Sequence, residues 1–481
     1  RSTLFPYTTL FRSQPLALWE ASSSQGTLTT DSRNSRTVYA EFGTDRGQII
    51  VGGDAIADSV ASDDAYAYQR TYPQGELYAP ITGYFSTYFA SMTGMEQAGN
   101  TLLNGEDPSL FSSRVKSLIT GQTQRGGSLE LTIDPEVQQA AWDALAGRRG
   151  SVVALNPSTG AILAMVSSPS YDPNLLASHD DETAQGAWDS LIDDEARPLD
   201  NRAIGGNLYP PGSTFKVLTV AAGLRTGKIT ANSEVDAPNT LTLPGTNHAL
   251  SNYASESCGN GRVTLAYAFA ESCNTPFAQL AMDVGDEALA DEASRWGFGS
   301  DLSIPLSVSH SVYPANDSVA QTAMAGIGQQ SVRATPLMMA MVAATVANDG
   351  EQMVPYLISQ TLDADLQVVS TTKPTVARTP IDSDTAATLT SLMQETVNSG
   401  TGTPAQVAGV SVAGKTGTAQ TGSDDGGPIT WFIGFAGTDI NNPTIAIAVV
   451  LDGGEQIPTT GTGGSVAGPI AASVIDAAVD Q

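Results

Sequence analysis

The chain has 481 residues and 41% of them are hydrophobic, which is typical of a globular protein with two or more domains. Its formal net charge of −28 argues against nucleic acid as a partner, because no basic stripe is present to neutralise phosphates. No apolar run reaches the roughly 18 residues that a membrane-spanning helix needs. The histidines, His179, His248 and His310, are isolated, so we predict no metal site, no Ser-His-Asp triad and no cofactor.

The residues up to 125 predict a small module without a set of residues that suggests chemistry. Arg1 to Ser13 looks like the translation of a sequencing adaptor and is set aside. Beyond it, short strand-like runs such as Gln48 to Val51 alternate with turns at Gly52-Gly53 and Asn104-Gly105. We therefore predict a non-catalytic α+β module over residues 14–125, of the kind that serves as a pedestal or in dimerisation.

From residue 126 the pattern predicts a second, larger domain. Its first elements are a strand at Ser128 to Ile133, a helix from Val137 to Leu145 with Asp134 as its N-cap, and a hairpin of Ser151 to Leu155 and Ala161 to Ser167. The hairpin strands are continuously apolar, which predicts that both of their faces are covered.

The end of this domain predicts more strands and a last helix. The strands are Val410 to Ala413, Thr430 to Ala436 and Thr444 to Leu451, and the helix runs from Ser465 to Val479. The segment from Ser213 to Asn348 reads as mostly helical. We therefore predict an α+β domain over residues 126–481, with a mixed or antiparallel sheet sandwiched by helices.

Ser213 and Lys216 begin a helix that should be buried, because the residues from Phe215 to Leu224 are apolar nearly all round. Residues three apart share one helix face, so the hydroxyl and the amine lie within reach of each other. Burial should lower the pKa of Lys216, which would let it accept the serine proton. Taken alone, the pair is also what a capping serine and a solvent-reaching lysine would give.

Two more short motifs follow in order. Ser272 and Asn274 form an S-x-N pattern within a helix-like run from Leu265 to Ala281, and the segment Lys415 to Thr418 ends a strand. Alone, the first could be a polar helix turn and the second a strand-end loop. The ordered set S-x-x-K, S-x-N and K-T-G is the signature of serine β-lactamases and penicillin-binding proteins.

With these motifs the chain resembles class B penicillin-binding proteins, and most closely the actinobacterial penicillin-binding protein A type. The resemblance covers nearly everything after residue 13. Further family-like segments are Arg46 to Ile49, Tyr78 to Gly83, Leu103 to Gly105, Ser167 to Asn174, Asn201 to Ala203 and Gly326 to Gln329.

The resemblance implies a peptidoglycan D,D-transpeptidase in which Ser213 attacks a D-Ala-D-Ala stem peptide and D-alanine leaves. Lys216 would act as the base for acylation. Ser272, in contact with Lys415, would relay a proton to the leaving amine. An amine of a second stem peptide would then attack the acyl-enzyme and form a cross-link.

The resemblance also implies how the substrate is held. Asn274 would bond the substrate's amide side chain and orient Lys216, and Thr416 and Thr418 would hold the carboxylate of the substrate or of an inhibiting β-lactam. Gly417 would allow the backbone to approach the ligand closely. The backbone N–H groups of Ser213 and Thr418 would form the oxyanion hole.

The two cysteines, Cys258 and Cys273, lie fifteen residues apart, and related A-type proteins share the pair. In an exported protein such a pair favours a disulfide, which would brace the segment that carries Ser272. Two buried free thiols are the alternative.

The same acylation residues also serve β-lactamases, D,D-carboxypeptidases and non-catalytic β-lactam sensors or scaffolds, which stay as alternatives. The long segment before Ser213 favours a transpeptidase over a β-lactamase. The family resemblance implies an extracytoplasmic catalytic domain, with a single N-terminal membrane anchor expected to precede the sequence, and glycosyltransferase or divisome partners.

Overall fold

The computed structural model describes residues 42–121, 124–206, 208–247, 249–253, 257–302, 304–419, 427–454 and 456–479. Three features named above therefore lie outside the described residues. They are the adaptor-like segment, residues 14–41 of the N-terminal module and His248.

The strands, in chain order, are β1 (Ile49–Val51), β2 (Asp54–Ala61), β3 (Tyr68–Thr71), β4 (Phe85–Ser86), β5 (Ser91–Met92), β6 (Ser128–Leu131), β7 (Gly150–Leu155), β8 (Ile162–Ser168), β9 (Glu234–Asp236), β10 (Thr240–Thr242), β11 (Ala249–Ser251), β12 (Arg262–Thr264), β13 (Gln352–Met353), β14 (Ile358–Leu362), β15 (Val368–Thr371), β16 (Val376–Arg378), β17 (Ser411–Ala419), β18 (Ile429–Gly437) and β19 (Ile445–Leu451).

The α-helices are α1 (Gly75–Thr82), α2 (Gly94–Ala98), α3 (Asn100–Leu103), α4 (Phe111–Thr120), α5 (Pro135–Leu145), α6 (Pro173–Leu176), α7 (Asp181–Asp193), α8 (Lys216–Arg225), α9 (Leu265–Ala270), α10 (Thr275–Val284), α11 (Asp286–Trp296), α12 (Val319–Gly326), α13 (Pro336–Ala347), α14 (Ser383–Asn398) and α15 (Gly468–Val479). Short 3₁₀ turns lie at Pro108–Leu110, Gly212–Phe215 and Thr403–Ala405, and a π-helical turn lies at Gly463–Ala467.

A five-stranded antiparallel sheet in the order β17-β18-β19-β7-β8 forms the centre of the larger domain. Helix α13 packs on one face, and α5 and α15 pack on the other. The adjacent residues Val152 and Val153 are both fully buried but belong to different apolar clusters, one on each face. The predicted hairpin, its coverage on both faces and the sandwich of helices are therefore confirmed.

The cap of helix α5 is also as predicted. The carboxylate of Asp134 accepts hydrogen bonds from the N–H groups of Glu136 and Val137, at 2.9 and 3.1 Å, and Pro135 stands at the first helical position. Proline loses nothing there, because the N–H it lacks would have no intrahelical partner.

The N-terminal module is built on a second, six-stranded sheet in the order β15-β14-β6-β1-β2-β3. Strands β1 and β6 run parallel, whereas β14 joins β6 antiparallel, with Ile358 opposite Leu131. This sheet thus combines strands from both sides of the domain boundary that the sequence predicts near residue 125. The boundary itself stays a prediction.

Helices α8 to α13 occupy much of the middle of the chain, but two small antiparallel ribbons, β9 with β12 and β10 with β11, lie between α8 and α9, and the described residues between α11 and α12 are not helical. In the four strands of these ribbons the helical prediction is therefore wrong. Short alternating runs such as Thr240 to Thr242, bounded by proline and glycine, favour strands over a helix. Among the described helices, none combines the length and the apolar character that would let it cross a bilayer.

Three charged side chains are buried together in the N-terminal module. The Glu96 carboxylate accepts from Arg46 Nε and from Arg70 Nε, both at 2.6 Å, and from the Tyr72 hydroxyl at 3.1 Å. Burial alone would raise the pKa of Glu96, but the two guanidinium groups outweigh it and hold that pKa below its usual range. The cluster ties the chain ahead of β1 to β3 and to α2.

We expect Glu96→Gln to destabilise the protein by about 3–5 kcal/mol, because it leaves two buried guanidinium groups without a counter-charge. Asp365→Asn is the control, since it removes the partner of Lys116 in an exposed pair and should change stability little. The melting temperatures of the two variants measure the difference. An equal loss in both would contradict a structural role for the buried cluster.

Candidate functional site

Ser213 lies in a tight turn that leads directly into helix α8. Gly212 adopts a φ of +54°, and the 3₁₀ turn Gly212–Phe215 precedes the α-helix, which begins at Lys216. Every residue from Lys216 to Gly223 is buried, as the apolar sequence predicts. Ser213 itself is only half-buried, so its hydroxyl is accessible at the start of the helix.

Ser272 lies between two helices rather than within one, so the prediction of a continuous helix from Leu265 to Ala281 is wrong. Helix α9 ends at Ala270 and α10 begins at Thr275. Ser272 between them has a φ of +57°, a left-handed conformation that is costly for a residue with a Cβ. The break turns the Ser272 side chain and the carbonyl groups of this segment towards Lys216 and Lys415.

The Lys415 to Thr418 motif lies inside strand β17, which continues to Ala419 and does not end at Ala413 as predicted. The full-length pairing of β17 with β18, from Ser411 opposite Gly437 to Ala419 opposite Ile429, explains the extension. On its other side β17 is the edge of the sheet. The motif therefore lies on an open strand edge beside Ser213.

Lys216 is fully buried and surrounded by acceptors. Its Nζ donates to the backbone carbonyls of Ser272 and Cys273, at 2.9 and 2.8 Å, and to Asn274 Oδ1 at 2.9 Å. Burial, and then the nearby charge of Lys415, hold the pKa of Lys216 well below its usual range. An amine of this kind is available as a base at neutral pH.

Lys415 is equally buried and contacts the middle motif. Its Nζ donates to Ser272 Oγ at 2.7 Å and to its neighbour's carbonyl, Thr416 O, at 3.0 Å. Burial lowers the pKa of Lys415 to about 7. The serine hydroxyl is therefore bonded to a group that carries a proton part of the time near neutral pH.

Two aromatic rings lie against the lysines. Lys216 Nζ is 5.4 Å from the centroid of Phe277, and Lys415 Nζ is 5.4 Å from that of Phe269. The rings, one from each helix that flanks Ser272, meet edge to face with centroids 6.0 Å apart. Each ring face favours the charged form of its lysine and offsets part of the cost of burial.

A cleft of about 570 Å³ opens in front of these groups. Its lining includes Ser213, Asn274 and Thr418, together with Tyr253, Gln329 and Gly461. Lys216 and Lys415 lie behind this surface, within hydrogen-bonding distance of the S-x-N segment. The structure thus brings together all of the site residues that the sequence singles out.

The two threonines of the motif occupy different places. Thr418 lines the cleft, and its Oγ1 accepts from the N–H of Gly463 at 3.1 Å, so its own hydroxyl proton is left to donate. Thr416 is buried, and its hydroxyl lies 2.6 Å from that of Thr401, which donates to Ala270 O. Thr418 is therefore the better placed of the two to meet a ligand.

Close backbone packing joins the serine turn to β17. A Cβ on Gly212 would lie 3.0 Å from Thr418 O, and a Cβ on Gly417 would lie 2.8 Å from Pro211 O. Both distances are shorter than ordinary van der Waals contacts. Glycine at these positions lets the backbone around Ser213 lie directly against that of Thr418, as an oxyanion hole made from their N–H groups requires.

The predicted disulfide between Cys258 and Cys273 is confirmed. It ties the segment before β12 to the residue between Ser272 and Asn274, whose carbonyl accepts from Lys216. The bridge thus braces one wall of the lysine site.

Two residues of the site have no clear signal in the sequence. Thr401 holds Thr416 from the segment after α14, and Tyr253 reaches across the cleft, its hydroxyl 3.4 Å from Thr460 O. Both lie outside the motifs, Thr401 fifteen residues before Thr416 and Tyr253 far along the chain from Thr460. Gly400 and Gly402 around Thr401 indicate a turn but no function.

The two described histidines, His179 and His310, do not line the cleft. His179 contacts Asp64, and His310 lies 2.7 Å from Asp301. Over the described residues no group of histidines, cysteines and carboxylates is arranged to hold a metal ion.

Comparison with known proteins gives consistent matches. A family model described as the penicillin binding protein transpeptidase domain matches residues 150–476, and one described as the penicillin binding protein A dimerisation domain matches residues 46–129. Peptidoglycan D,D-transpeptidase PbpA of Mycolicibacterium smegmatis is 45% identical, over 94% of this chain and 93% of that protein. PbpA of Mycobacterium tuberculosis is 44% identical, over 94% and 92%.

Solved structures match as well. The structure of penicillin-binding protein A from M. tuberculosis as a ceftriaxone acyl-enzyme complex has a TM-score of 0.87 and 43% identity, over 92% of this chain and 99% of that chain. Its penicillin G acyl-enzyme complex has a TM-score of 0.85 and 44% identity, over 90% and 99%.

We expect Lys415→Met to remove a pH dependence of stability. The pKa of Lys415 falls from 10.5 to about 7 on folding, so between these pH values the unfolded chain binds more protons and wild-type stability rises with pH. Relative to the variant, the wild type should therefore gain up to about 1.4 kcal/mol per pH unit from pH 7 towards pH 10.

Melting temperatures measured at several pH values test this prediction. Lys228→Met, at an exposed lysine, is the control and should follow the wild type at every pH. A difference between wild type and Lys415→Met that does not change with pH would contradict the lowered pKa.

Proposed function

The chain belongs to the family of penicillin-binding protein transpeptidases, and from this premise we propose that it cross-links peptidoglycan through an acyl-enzyme on Ser213. One observation carries the proposal. Two buried lysines from segments about 200 residues apart, Lys216 and Lys415, meet around Ser272, next to an accessible serine in a cleft. This arrangement moves protons beside a nucleophile and does not require a metal or cofactor.

Acylation follows from the geometry. Neutral Lys216 takes the proton of the Ser213 hydroxyl as Oγ attacks the carbonyl between the two D-alanines of the donor. The N–H groups of Ser213 and Thr418 hold the oxyanion, and the tetrahedral intermediate collapses as the C–N bond breaks. The leaving D-alanine amine takes the Ser272 hydroxyl proton, which Lys415 replaces.

Transfer then reverses the roles of the same groups. An amine of a neighbouring stem peptide attacks the ester carbonyl and loses a proton through Ser272 to Lys415. The ester C–O bond breaks, and Ser213 Oγ recovers a proton from Lys216. Acylation leaves Lys216 protonated and Lys415 neutral, and transfer returns both lysines to the protonation states in which the turnover began.

Substrate binding uses the open edge of β17 and the polar groups around it. A stem peptide in extended form can pair with this edge through backbone hydrogen bonds. The Thr418 hydroxyl donates a hydrogen bond to the carboxylate of the stem peptide. Thr416 donates to the same carboxylate when its hydrogen bond to Thr401 is broken. Asn274 receives the amide side chain while it keeps Lys216 in place. A β-lactam, which carries a carboxylate beside a reactive amide, fits the same groups.

The disulfide supports a place for this domain outside the cytoplasm, because such bridges persist in oxidising compartments. The cross-linking substrate also lies there. An N-terminal membrane anchor and a glycosyltransferase or divisome partner complete this proposal. Protease added to cells that express the full gene tests this placement. After the wall has been digested, an extracytoplasmic domain should be cleaved in cells with an intact membrane as well as in permeabilised cells.

We expect penicillin G to add one adduct to the intact protein, located on Ser213 by peptide mass spectrometry, and Ser213→Ala to form none. Ser309→Ala, at an exposed serine outside the cleft, should form the adduct at the wild-type rate. An adduct on another residue would contradict the proposal. An adduct that is hydrolysed within seconds would also contradict it and would favour a β-lactamase.

The choice between amine and water is tested with a thioester donor that ends in D-alanine. Added D-amino acids should divert the acyl group into an amide product in proportion to their concentration. Hydrolysis alone, at every amine concentration, would make the protein a carboxypeptidase.

A further inference from the structure

Helix α10 begins with an asparagine that does not cap it. Asn274 occupies the N-cap position, where an asparagine usually accepts from the second or third N–H of its own helix. Its side chain makes no such bond. Instead, Oδ1 accepts from Lys216 Nζ at 2.9 Å and Nδ2 donates to Ser251 O at 3.1 Å. The start of the helix therefore needs an acceptor from elsewhere.

Asn252, which follows strand β11, supplies that acceptor. Its Oδ1 accepts from the N–H groups of Asn274 and Thr275, at 2.8 and 3.2 Å. The Asn252 side chain is only 6% exposed, and its Nδ2 lies 3.5 Å from Pro238 O. Thr275 Oγ1 donates to the same carbonyl at 2.8 Å. A buried amide thus fixes the backbone on which Asn274 stands.

We propose that Asn252 is a positioning residue for acyl transfer: it anchors the backbone N–H groups of Asn274 and Thr275 and so places the Asn274 side chain that holds Lys216. The proposal rests on the role of Lys216 as the acylation base. Asn252 lines the same cleft as Ser213, but its hydrogen bonds go to Pro238, Asn274 and Thr275, so we assign its effect on Lys216 to the placement of Asn274.

Loss of the Asn252 amide has two consequences. Two N–H groups in a buried place lose their acceptor, so the backbone at the start of α10 is no longer fixed and the Asn274 side chain can leave Lys216 for the free N–H groups of its own helix. If it turns to its own helix, Lys216 Nζ keeps two of its three acceptors. Because hydrogen bonds to an ammonium group favour its charged form, the pKa of Lys216 then falls further. The amine is also less firmly held towards Ser213.

The rate of acylation by a fluorescent penicillin, measured as a function of pH, tests this role. We expect Asn252→Ala to lower the plateau rate about 10- to 100-fold, as a misplaced catalytic group does, and to move the limb set by Lys216 to lower pH. Asn252→Asp keeps the accepting oxygen and adds a negative charge. It should restore the plateau to within a few-fold of wild type and move the same limb to higher pH.

Asp134→Ala is the matched control, because Asp134 also accepts from two consecutive N–H groups at the start of a helix, α5, outside the cleft. It should lower the melting temperature but leave acylation unchanged. Asn252→Ala that acylates as fast as Asp134→Ala would overturn the proposal. An Asn252→Asp variant whose acylation rate rises at the same pH as that of the wild type would also overturn the proposal. This measurement decides the question even if Asn252→Ala does not fold.

Lys216→Ala separates this inference from the proposed function. Normal acylation in that variant would overturn the base role of Lys216 itself. An inactive Lys216→Ala together with unaffected Asn252 variants would overturn only the positioning role of Asn252.

Discussion

The burial of two lysine side chains in one site is the constraint on which the larger domain depends. Neither Lys216 nor Lys415 has any exposed surface, so each ammonium group must find acceptors from the protein or lose its proton. The positive-φ break at Ser272 presents two backbone carbonyls to one lysine and a hydroxyl to the other. Burial lowers the pKa of both lysines, and the charge of Lys415 lowers that of Lys216 further, so a neutral amine is available to accept a proton.

The chemistry of this site can be predicted from the sequence because much of it is local. A serine and a lysine three apart on an apolar helix imply proximity without any tertiary information, and the order of three short motifs supplies the rest. The break at Ser272 does not stand out in the sequence, although Asn274 and Pro276 are typical of a helix start, because the apolar runs on either side read as one continuous helix. Contacts such as Thr401 with Thr416, or Asn252 with Asn274, join a loop to a strand or to the start of a helix, and no period or spacing encodes them.

The fold also has parts that the local sequence predicts and parts that it does not. Strands β7 and β8 could be predicted because they are continuously apolar and joined by a tight turn, and their neighbour β19 because it is just as apolar. Strand β15 is exposed at all four positions, and its partner β14 has one buried residue, so neither has a pattern that marks it as part of the N-terminal sheet. The Arg46, Arg70 and Glu96 cluster could not be predicted for another reason. Its two ion pairs join residues that are separated by 50 and by 26 positions, and such pairs produce no pattern in the local sequence.

In both sheets, strands from the first third of the sequence pair with strands from its last third. Strand β6 is completed by β14 and strand β7 by β19, so partners are separated by more than two hundred residues of chain. In a chain that emerges from its amino end, the first hairpin and the first half of the N-terminal sheet expose unpaired edges until most of the sequence has appeared. Such edges are sites of aggregation, so the chain is most exposed to association with other chains before its last strands have been made.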